Sequence, residues 1–284
     1  MAIDLVTKFL PYVDEVFKNE SKRDLLTNSD FTWSGAHSVK IYKVNTAKMN
    51  DYGRSGPSEG NWSRYGAVAG LDAVTEEMTL TKDRSFTFAI DRLDTDETAQ
   101  QLEAASALAR QLREVVVPEI DSHTYATMAA NAGHKPAAVI LDPDNVYGEI
   151  LKASEALDNA EVPETGRVLL VTPAVYAVIK KSPDITLDSE TGQAQRLRGV
   201  IATLDGASVV RVPAVRLPEN FGFMLAHPSA TVCPLKLEAY NVHDNPPGIS
   251  GALVEGRVVY DCFCMDNKKS AIYVQSVTAA AKSK

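Results

Sequence analysis

The sequence has few cysteines, no long apolar run and no block of basic residues. Three cysteines in 284 residues cannot form the framework of a disulfide-rich secreted domain, and they indicate a reducing compartment. No stretch approaches the roughly 20 apolar residues that a membrane-spanning helix needs. The N-terminus lacks a basic leader and contains Asp4, Pro11, Asp14 and Glu15, which argue against a secretory signal. We therefore expect no membrane partner.

The charge balance argues against tight nucleic-acid binding. The chain has 29 Lys and Arg against 37 Asp and Glu, a formal net charge of -8. Binding to phosphate requires clustered Lys and Arg, and no such cluster occurs. A protein that lies beside nucleic acid without gripping it remains compatible with this composition.

No motif predicts a cofactor or a metal ion. A glycine-rich phosphate loop between a strand and a helix is missing, so nucleotide binding has no support. Cys262 and Cys264 are two apart in a predicted strand and point to the same face, but only Cys233 could join them. No close cysteine pair and histidine pair at zinc-ligand spacing occurs. We interpret the cysteines as small buried apolar residues and expect no cofactor.

One short segment matches a catalytic pattern. Residues 56–60, Gly-Pro-Ser-Glu-Gly, have the G-x-S-x-G spacing of serine hydrolases, and His243 and Asp244 could be named as partners of Ser58. A nucleophile elbow needs a strand that runs into the first glycine and a helix that leaves the second. Here the preceding strand is predicted to end near Val44, and the following residues are a poor helix start. We interpret Ser58 as a loop residue and expect no catalytic site.

The N-terminal residues form a predicted amphipathic arm. Residues 4–18 place apolar side chains at three- and four-residue spacing, and Pro11 interrupts the pattern. The apolar face consists of Val6, Leu10, Val13 and Phe17. An apolar face of this kind must be covered by another protein surface. The pattern favours equally a surface of the chain's own domain and a surface of a neighbouring subunit.

A long loop that contains aromatic residues follows. Residues 38–44 are predicted as a strand, and residues 78–90 are predicted as a strand pair with a turn at Thr81–Ser85. The intervening residues 45–73, 29 in number, contain five glycines and have no sustained period. A loop this long is expected only where it is functional or reaches a partner. Its candidate interface residues are Tyr52, Arg54, Trp62, Arg64 and Tyr65.

The next segment is predicted to be a very long helix. From residue 95 to 132 apolar residues repeat at three and four positions, with Thr95 as N-cap, Pro118 as a bend and Gly133 as a stop. The residues on this face are Leu102, Ala105, Ala109, Leu112, Val116 and Ile120. Alternating strand-like and helix-like segments follow to the C-terminus, which predicts an α+β fold.

This order of elements resembles the major capsid proteins of tailed bacteriophages, with the Hong Kong 97-like fold. The stretches that carry the resemblance are "TFAIDRLDTDETAQQLEAASALARQLREVVVPEIDSHTYATMAANAG", "RVLLVTPAVYAVIKKSPDI", "RGVIATLDGASVVRVPAVRLP", "HPSATVCPLKLEAY" and "EGRVVYDCFCMDNKKSAIYV". The resemblance implies an N-terminal arm at 1–30 and an extended β-hairpin E-loop at 31–94. It further implies a spine helix with the main peripheral-domain segment at 95–198, and an axial domain with returning peripheral strands at 199–284.

The resemblance also implies a function. A chain of this family would assemble through hexamers and pentamers into an icosahedral shell around phage double-stranded DNA, without sequence-specific DNA binding. It would be assembled in the host bacterial cytoplasm and found in the virion. Its partners would be other copies of itself, a scaffolding protein, a portal, and decoration or head-completion proteins. Two alternatives remain at this point: an encapsulin-like nanocompartment shell, and a soluble α+β hydrolase that uses Ser58.

Overall fold

The chain divides into two structural units. A computed structural model describes residues 21–28, 38–44, 46–57, 60, 62–68, 70, 73–93, 104–183 and 203–278. Contacts group Trp33–Leu80 into one unit, here called the extension, and Met1–Thr32 with Thr81–Lys284 into the other, here called the body. Helices and strands are both present, which confirms the mixed α and β class.

The described part of the extension contains one pair of antiparallel strands. β1 (Ser38–Val44) pairs with β2 (Ala73–Thr79), with Ser38 opposite Thr79 and Val44 opposite Ala73. β1 is the strand that its β-branched and aromatic residues predict. The described residues between 46 and 70 form turns and irregular segments. The extension is therefore a two-stranded ribbon that carries an irregular loop.

The prediction that two strands within residues 78–90 pair with each other is wrong. The chain forms β2 and then β3 (Lys82–Asp91), but β2 pairs with β1, and β3 pairs with a strand near the C-terminus. No residue from Leu80 to Arg84 has the positive φ that a two-residue hairpin turn requires. Thr81 is bound by Asp261 instead. The chain thus passes from one sheet to another at this point.

A long helix runs through the body, as the spacing of apolar residues predicts. It comprises α1 (Ala104–Gln111), a π-helical turn (Leu112–Val116) and α2 (Val117–Asn131). The predicted N-cap, Thr95, lies outside the described residues. The π-helical turn comes just before Pro118, whose ring would clash with the carbonyl of residue 114 in a regular α-helix. The irregularity expected at Pro118 is thus a widened turn.

Gly133 follows the end of this helix and permits a close backbone approach. Its N–H donates to the carbonyl oxygen of Lys269 at 2.8 Å. A Cβ atom at this position would lie 2.5 Å from the same oxygen. Any other residue would therefore push the two segments apart. The predicted helix stop is confirmed, but glycine is required by proximity, since its φ is not positive.

The remaining elements of the body follow in chain order. They are α3 (Val146–Asn159), β4 (Val168–Val171), α4 (Pro173–Lys181), β5 (Thr203–Leu204), β6 (Ala207–Arg211), β7 (Phe221–Ala226), β8 (Thr231–Val232), β9 (Leu235–Asp244), β10 (Gly251–Tyr260), β11 (Phe263–Cys264) and β12 (Ile272–Ser276). Strands of the body form a five-stranded sheet in the order β12–β7–β4–β6–β5, a three-stranded sheet β3–β10–β9 and a pair β11–β8.

The five-stranded sheet is covered by helices on both faces. In β4, Leu169 and Val171 pack in a core cluster with residues of α3 and α4. Their neighbours Val168 and Leu170 pack in a second cluster that includes Tyr125 of α2. This alternation follows from the two-residue period of a strand, and a strand buried on both faces is apolar throughout.

The three-stranded sheet packs against the long helix. Ile120 of α2 forms a small core cluster with Val258 and Tyr260 of β10. All strand pairs in this sheet are antiparallel, and β10 lies between β3 and β9. The three-stranded and five-stranded sheets each combine strands from two predicted segments, because β3 lies within 31–94, β4 lies within 95–198 and the other strands of both sheets lie within 199–284. The division into arm, E-loop, peripheral and axial domains stays a prediction.

A buried ion pair joins three distant segments of the body. Asp121 in α2 is 1% exposed, and its Oδ2 accepts a hydrogen bond from Arg216 Nη1 at 2.8 Å. Ser21 Oγ donates to Asp121 Oδ1 at 2.7 Å. Leu26, five residues after Ser21, is fully buried in the core cluster that contains Tyr125. These contacts fasten the end of the predicted arm segment to the long helix.

We predict that Asp121→Ala lowers the free energy of unfolding by about 3–5 kcal/mol, because it leaves the buried Arg216 guanidinium without its carboxylate. Asp83→Ala, which removes an exposed partner of Arg257, is the matched control and is expected to change stability little. Urea unfolding of the soluble subunit measures both. A double variant, Asp121→Leu with Arg216→Met, should recover most of the loss. Equal effects of the two alanine variants would contradict this account.

Candidate subunit interface

The loop of the extension is held together across its base. The N–H of Gly53 donates to the carbonyl oxygen of Arg64 at 2.9 Å. The side-chain amide of Asn50 donates to the carbonyl oxygens of Tyr65 and Ala67 at 3.3 and 3.5 Å. These bonds join residues that lie more than ten positions apart in the chain. The described part of the loop therefore has a defined shape, although it lacks regular secondary structure.

Two glycines are required by this shape. A Cβ atom on Gly53 would lie 2.2 Å from the carbonyl oxygen of Gly56. Gly66 has a φ of +89°, and a Cβ atom there would lie 2.7 Å from Cβ of Asn50. Only glycine combines this backbone conformation with so little space. The glycine content that the sequence shows in this loop thus reflects tight turns and close packing.

The loop presents large apolar side chains to solvent. Tyr52 and Tyr65 pack edge to face, with ring centroids 5.0 Å apart at 67°. Tyr65 is nevertheless 77% exposed, and Trp62 is 84% exposed. Met49 and Val68 are also exposed, and so are Arg54 and Arg64. We call these seven residues the loop surface: Met49, Tyr52, Arg54, Trp62, Arg64, Tyr65 and Val68.

The loop surface contains five of the nine interface residues predicted from the sequence. Tyr52, Arg54, Trp62, Arg64 and Tyr65 all lie on it and are exposed. The other four, Val6, Leu10, Val13 and Phe17, lie outside the described residues. Met49 and Val68 were not among the predicted residues, because the prediction rested on aromatic and basic residues only. Their apolar character within a polar, glycine-rich loop was the available signal.

The composition of this surface is that of a protein contact. Exposed apolar residues are common singly, but a group on one loop marks a surface that a partner covers. Tyr, Trp and Arg are the residues that most often dominate binding energy at interfaces. The aromatic rings offer apolar area with little side-chain entropy to lose, and the guanidinium groups can pair with carboxylates. The loop surface is therefore suited to bind protein rather than a small molecule.

Of the three residues that the serine-hydrolase pattern would use, the structure describes His243 and Asp244. Ser58 lies outside the described residues, and the described residues around it, 46–57 and 62–68, contain neither strand nor helix. A nucleophile elbow requires both. His243 and Asp244 are adjacent in β9, so their side chains point to opposite faces of the sheet. His243 Nε2 lies 3.4 Å from Glu255 Oε2.

Two of the three cysteines are buried residues of the core, whereas Cys233, also predicted to be buried, is partly exposed. Cys262 and Cys264 are both buried and belong to the same apolar cluster, which confirms the prediction for these two. Burial raises the pKa of the Cys264 thiol to about 11. A thiol of this kind is a poor nucleophile and a poor metal ligand at neutral pH.

The described residues contain neither a metal-binding cluster nor a membrane-spanning helix. In this part of the chain, no three His, Cys, Asp or Glu side chains are grouped so that they could hold a metal ion. None of its helices has both the length and the apolar character needed to span a membrane.

A carboxylate fixes the residue at which the chain enters the body from the extension. Asp261 Oδ2 accepts hydrogen bonds from the N–H and the hydroxyl of Thr81 at 2.8 and 2.7 Å. Its Oδ1 accepts from the N–H of Cys262 at 2.8 Å and lies 2.9 Å from His123 Nε2. Burial alone would raise the pKa of Asp261, but these hydrogen bonds outweigh it and lower the pKa. The anionic carboxylate thus holds the start of β3.

Comparison with known proteins gives a consistent result. A family model described as "Phage capsid protein" matches residues 74–273. No curated protein sequence matches the chain. A solved structure from Mycobacterium phage Che8 is similar with a TM-score of 0.76 at 18% identity, over 96% of both chains. The mature capsid of bacteriophage PhiM1 is similar with a TM-score of 0.75 at 13% identity, over 98% of this chain and 93% of that chain.

A particle from a different source also has this fold. A virus-like particle from Pyrococcus furiosus is similar with a TM-score of 0.56 at 12% identity, over 90% of this chain and 92% of that chain. Because the sequence identities are low, these structural similarities show only that the chain has the same fold.

We predict that Asp261 makes stability depend on pH. Because its pKa is lowered on folding, the ionised carboxylate stabilises the fold above the unfolded value of about 3.9, and this contribution is lost as the pH falls through the folded value. The difference in free energy of unfolding between wild type and Asp261→Asn should therefore be largest near pH 7 and shrink below about pH 4. Urea unfolding between pH 7 and pH 3 measures it, with the exposed Asp51→Asn as control. A difference that stays constant with pH would refute this role.

Proposed function

The chain belongs to the phage capsid protein family, and from this we propose that it is the major coat protein of a tailed bacteriophage. On this proposal, copies of the chain assemble through hexamers and pentamers into an icosahedral shell that encloses double-stranded DNA. The fold is of the Hong Kong 97 type, in which the extension is the E-loop and the helix from 104 to 131 is part of the spine helix. The protein acts as a structural component of the virion and not as an enzyme.

The observation that carries this proposal is the exposed loop surface of the extension. Trp62 and Tyr65 are largely exposed in the isolated chain, yet the loop that carries them has a defined shape. Burying such side chains against a partner yields about 25 cal/mol per Å² of apolar surface removed from water. In a closed shell each extension lies on a neighbouring subunit, and the same contact repeats throughout the particle. A second copy of the chain is thus the partner that the loop surface requires.

The charge of the chain suits a container for DNA. With a net charge of -8, the wall of the shell does not bind phosphate strongly, so DNA could be packaged and released without large barriers. We further propose that the subunits act with a scaffolding protein, a portal, and decoration or head-completion proteins, as the family implies. None of these partners requires sequence-specific contact with DNA.

The second candidate function is a protein compartment of the encapsulin type. The likeness to the virus-like particle from Pyrococcus furiosus favours it as the alternative. Both functions require the same self-assembly, and they differ in the contents of the particle. Nuclease-resistant DNA in purified particles supports the coat protein, whereas an enclosed protein supports the compartment.

We predict that Trp62→Ala combined with Tyr65→Ala weakens assembly while each subunit stays folded. Truncation of an interface aromatic that dominates binding costs about 2 kcal/mol or more, so the concentration needed for assembly should rise at least about thirtyfold. Light scattering and sedimentation velocity measure the assembled fraction, and thermal unfolding of the subunit should be unchanged. Ser58→Ala, in the same loop, is the control and should assemble like wild type. Normal assembly of the double variant would refute the proposed role of the loop surface.

A further inference from the structure

Two cysteines lie side by side in the body, on either side of the β9–β10 hairpin. The Sγ atoms of Cys233 and Cys262 are 3.0 Å apart, and both thiols are free. Cys262 is buried, whereas Cys233 is partly exposed to solvent. Non-bonded heavy atoms normally settle at larger separations. The fold thus brings two thiols into contact, although they are far apart in the chain.

The pairing of the strands explains why these thiols meet. In the antiparallel pair of β8 and β11, Phe263 lies opposite Val232. The next positions along the two chains are Cys262 and Cys233, so the same register places them opposite each other. This alignment is set by the backbone, and it does not depend on the conformation of one side chain.

The hydrogen-bond pattern identifies the kind of position that the two cysteines occupy. One step further along the ladder, the N–H of Asp261 donates to the carbonyl oxygen of Pro234 at 3.3 Å. Hydrogen-bonded and non-hydrogen-bonded pairs alternate along an antiparallel ladder, so Cys233 and Cys262 form a non-hydrogen-bonded pair. At such positions the Cα atoms are about 4.5 Å apart, which lies within the range that a disulfide spans.

We propose that Cys233 and Cys262 form a disulfide site, which a small-molecule disulfide such as oxidised glutathione converts into an intramolecular bond. The Cys233 thiolate attacks one sulfur of glutathione disulfide and releases glutathione, which leaves a mixed disulfide on Cys233. The Cys262 thiol then loses its proton, and its sulfur attacks Sγ of Cys233 and releases a second glutathione. Two protein thiols are oxidised, and one glutathione disulfide is reduced to two thiols.

The surroundings of the two thiols assign their order in this reaction. Cys233 is the accessible thiol and therefore meets the oxidant first. The hydrogen bond to Cys233 and burial raise the pKa of the Cys262 thiol, which disfavours its attack on an external molecule. Once Cys233 carries the mixed disulfide, Cys262 is already in contact with the sulfur that it must attack. Cys264 lies opposite Thr231 and has no cysteine partner in the ladder.

The bond would close the base of the β9–β10 hairpin. The loop between the two cysteines spans roughly 30 residues and contains both strands, and β10 is the central strand of the three-stranded sheet. Linking its ends restricts the unfolded chain and stabilises the hairpin. If the proposed function holds, particles leave the reducing interior of a host cell on release, so the bond would form after assembly. The chemical inference itself does not depend on that function.

The test treats the purified subunit with oxidised glutathione, blocks the remaining thiols with iodoacetamide and maps cysteine-containing peptides by mass spectrometry. Before the thiols are blocked, we expect the intact protein to lose about 2 Da, and after blocking we expect a peptide that links Cys233 to Cys262. We also expect the melting temperature to rise by roughly 5 °C or more, and to return after reduction. Cys264→Ser should behave like wild type, whereas Cys233→Ser and Cys262→Ser should lose both effects.

Several outcomes would overturn the inference. These are a stable glutathione adduct on Cys233, a bond that includes Cys264, a bond between two chains, or no oxidation while the unfolded chain reacts under the same conditions. Circular dichroism of each variant confirms that it is folded, and Cys233→Ala serves as a second variant if Cys262→Ser is unstable. Because the measurement uses soluble subunits, failure of the disulfide and failure of assembly are distinguished.

Discussion

The body of this protein depends on the neutralisation of one buried carboxylate. Asp121 lies in the long helix with almost no exposure to water, and an unpaired charge at such a position is strongly destabilising. Arg216 and Ser21 supply the hydrogen bonds that it requires. These three residues come from the helix, from the turn after β6 and from the end of the predicted arm segment. Ordering the helix therefore also orders two segments that are distant in sequence.

The extension, in contrast to the buried Asp121 site, leaves large apolar side chains exposed to water. Its loop has internal hydrogen bonds and glycines that fix its shape, but its largest apolar side chains face water. A chain that leaves Trp62 and Tyr65 exposed loses the free energy that their burial would provide. That free energy becomes available only when another molecule covers the loop. The extension is thus suited to completion by a neighbour, which is what the proposed shell requires.

Local patterns in the sequence predicted the individual helices and strands better than they predicted which strands pair and which distant residues are in contact. The apolar spacing around Leu112, Val116 and Ile120 predicted the long helix, because helical periodicity is a property of neighbouring residues. It could not predict that β2 and β3 belong to different sheets, since strand pairing depends on residues that are distant in the chain. For the same reason, the sequence did not reveal the structural roles of Asp121 and Asp261, whose hydrogen-bond partners lie up to 180 positions away. The loop surface was largely predictable, because aromatic residues in a glycine-rich segment are unusual without a partner.

The central claim is that copies of this chain build a closed shell, and the most direct measurement is made on the wild-type protein. Size-exclusion chromatography with light scattering gives the mass of each species, and negative-stain electron microscopy of every peak gives its form. The account predicts rings of five or six subunits, or closed shells tens of nanometres across. A monodisperse monomer or dimer that forms no larger particle, even with crowding agents or a candidate scaffolding protein, would contradict it.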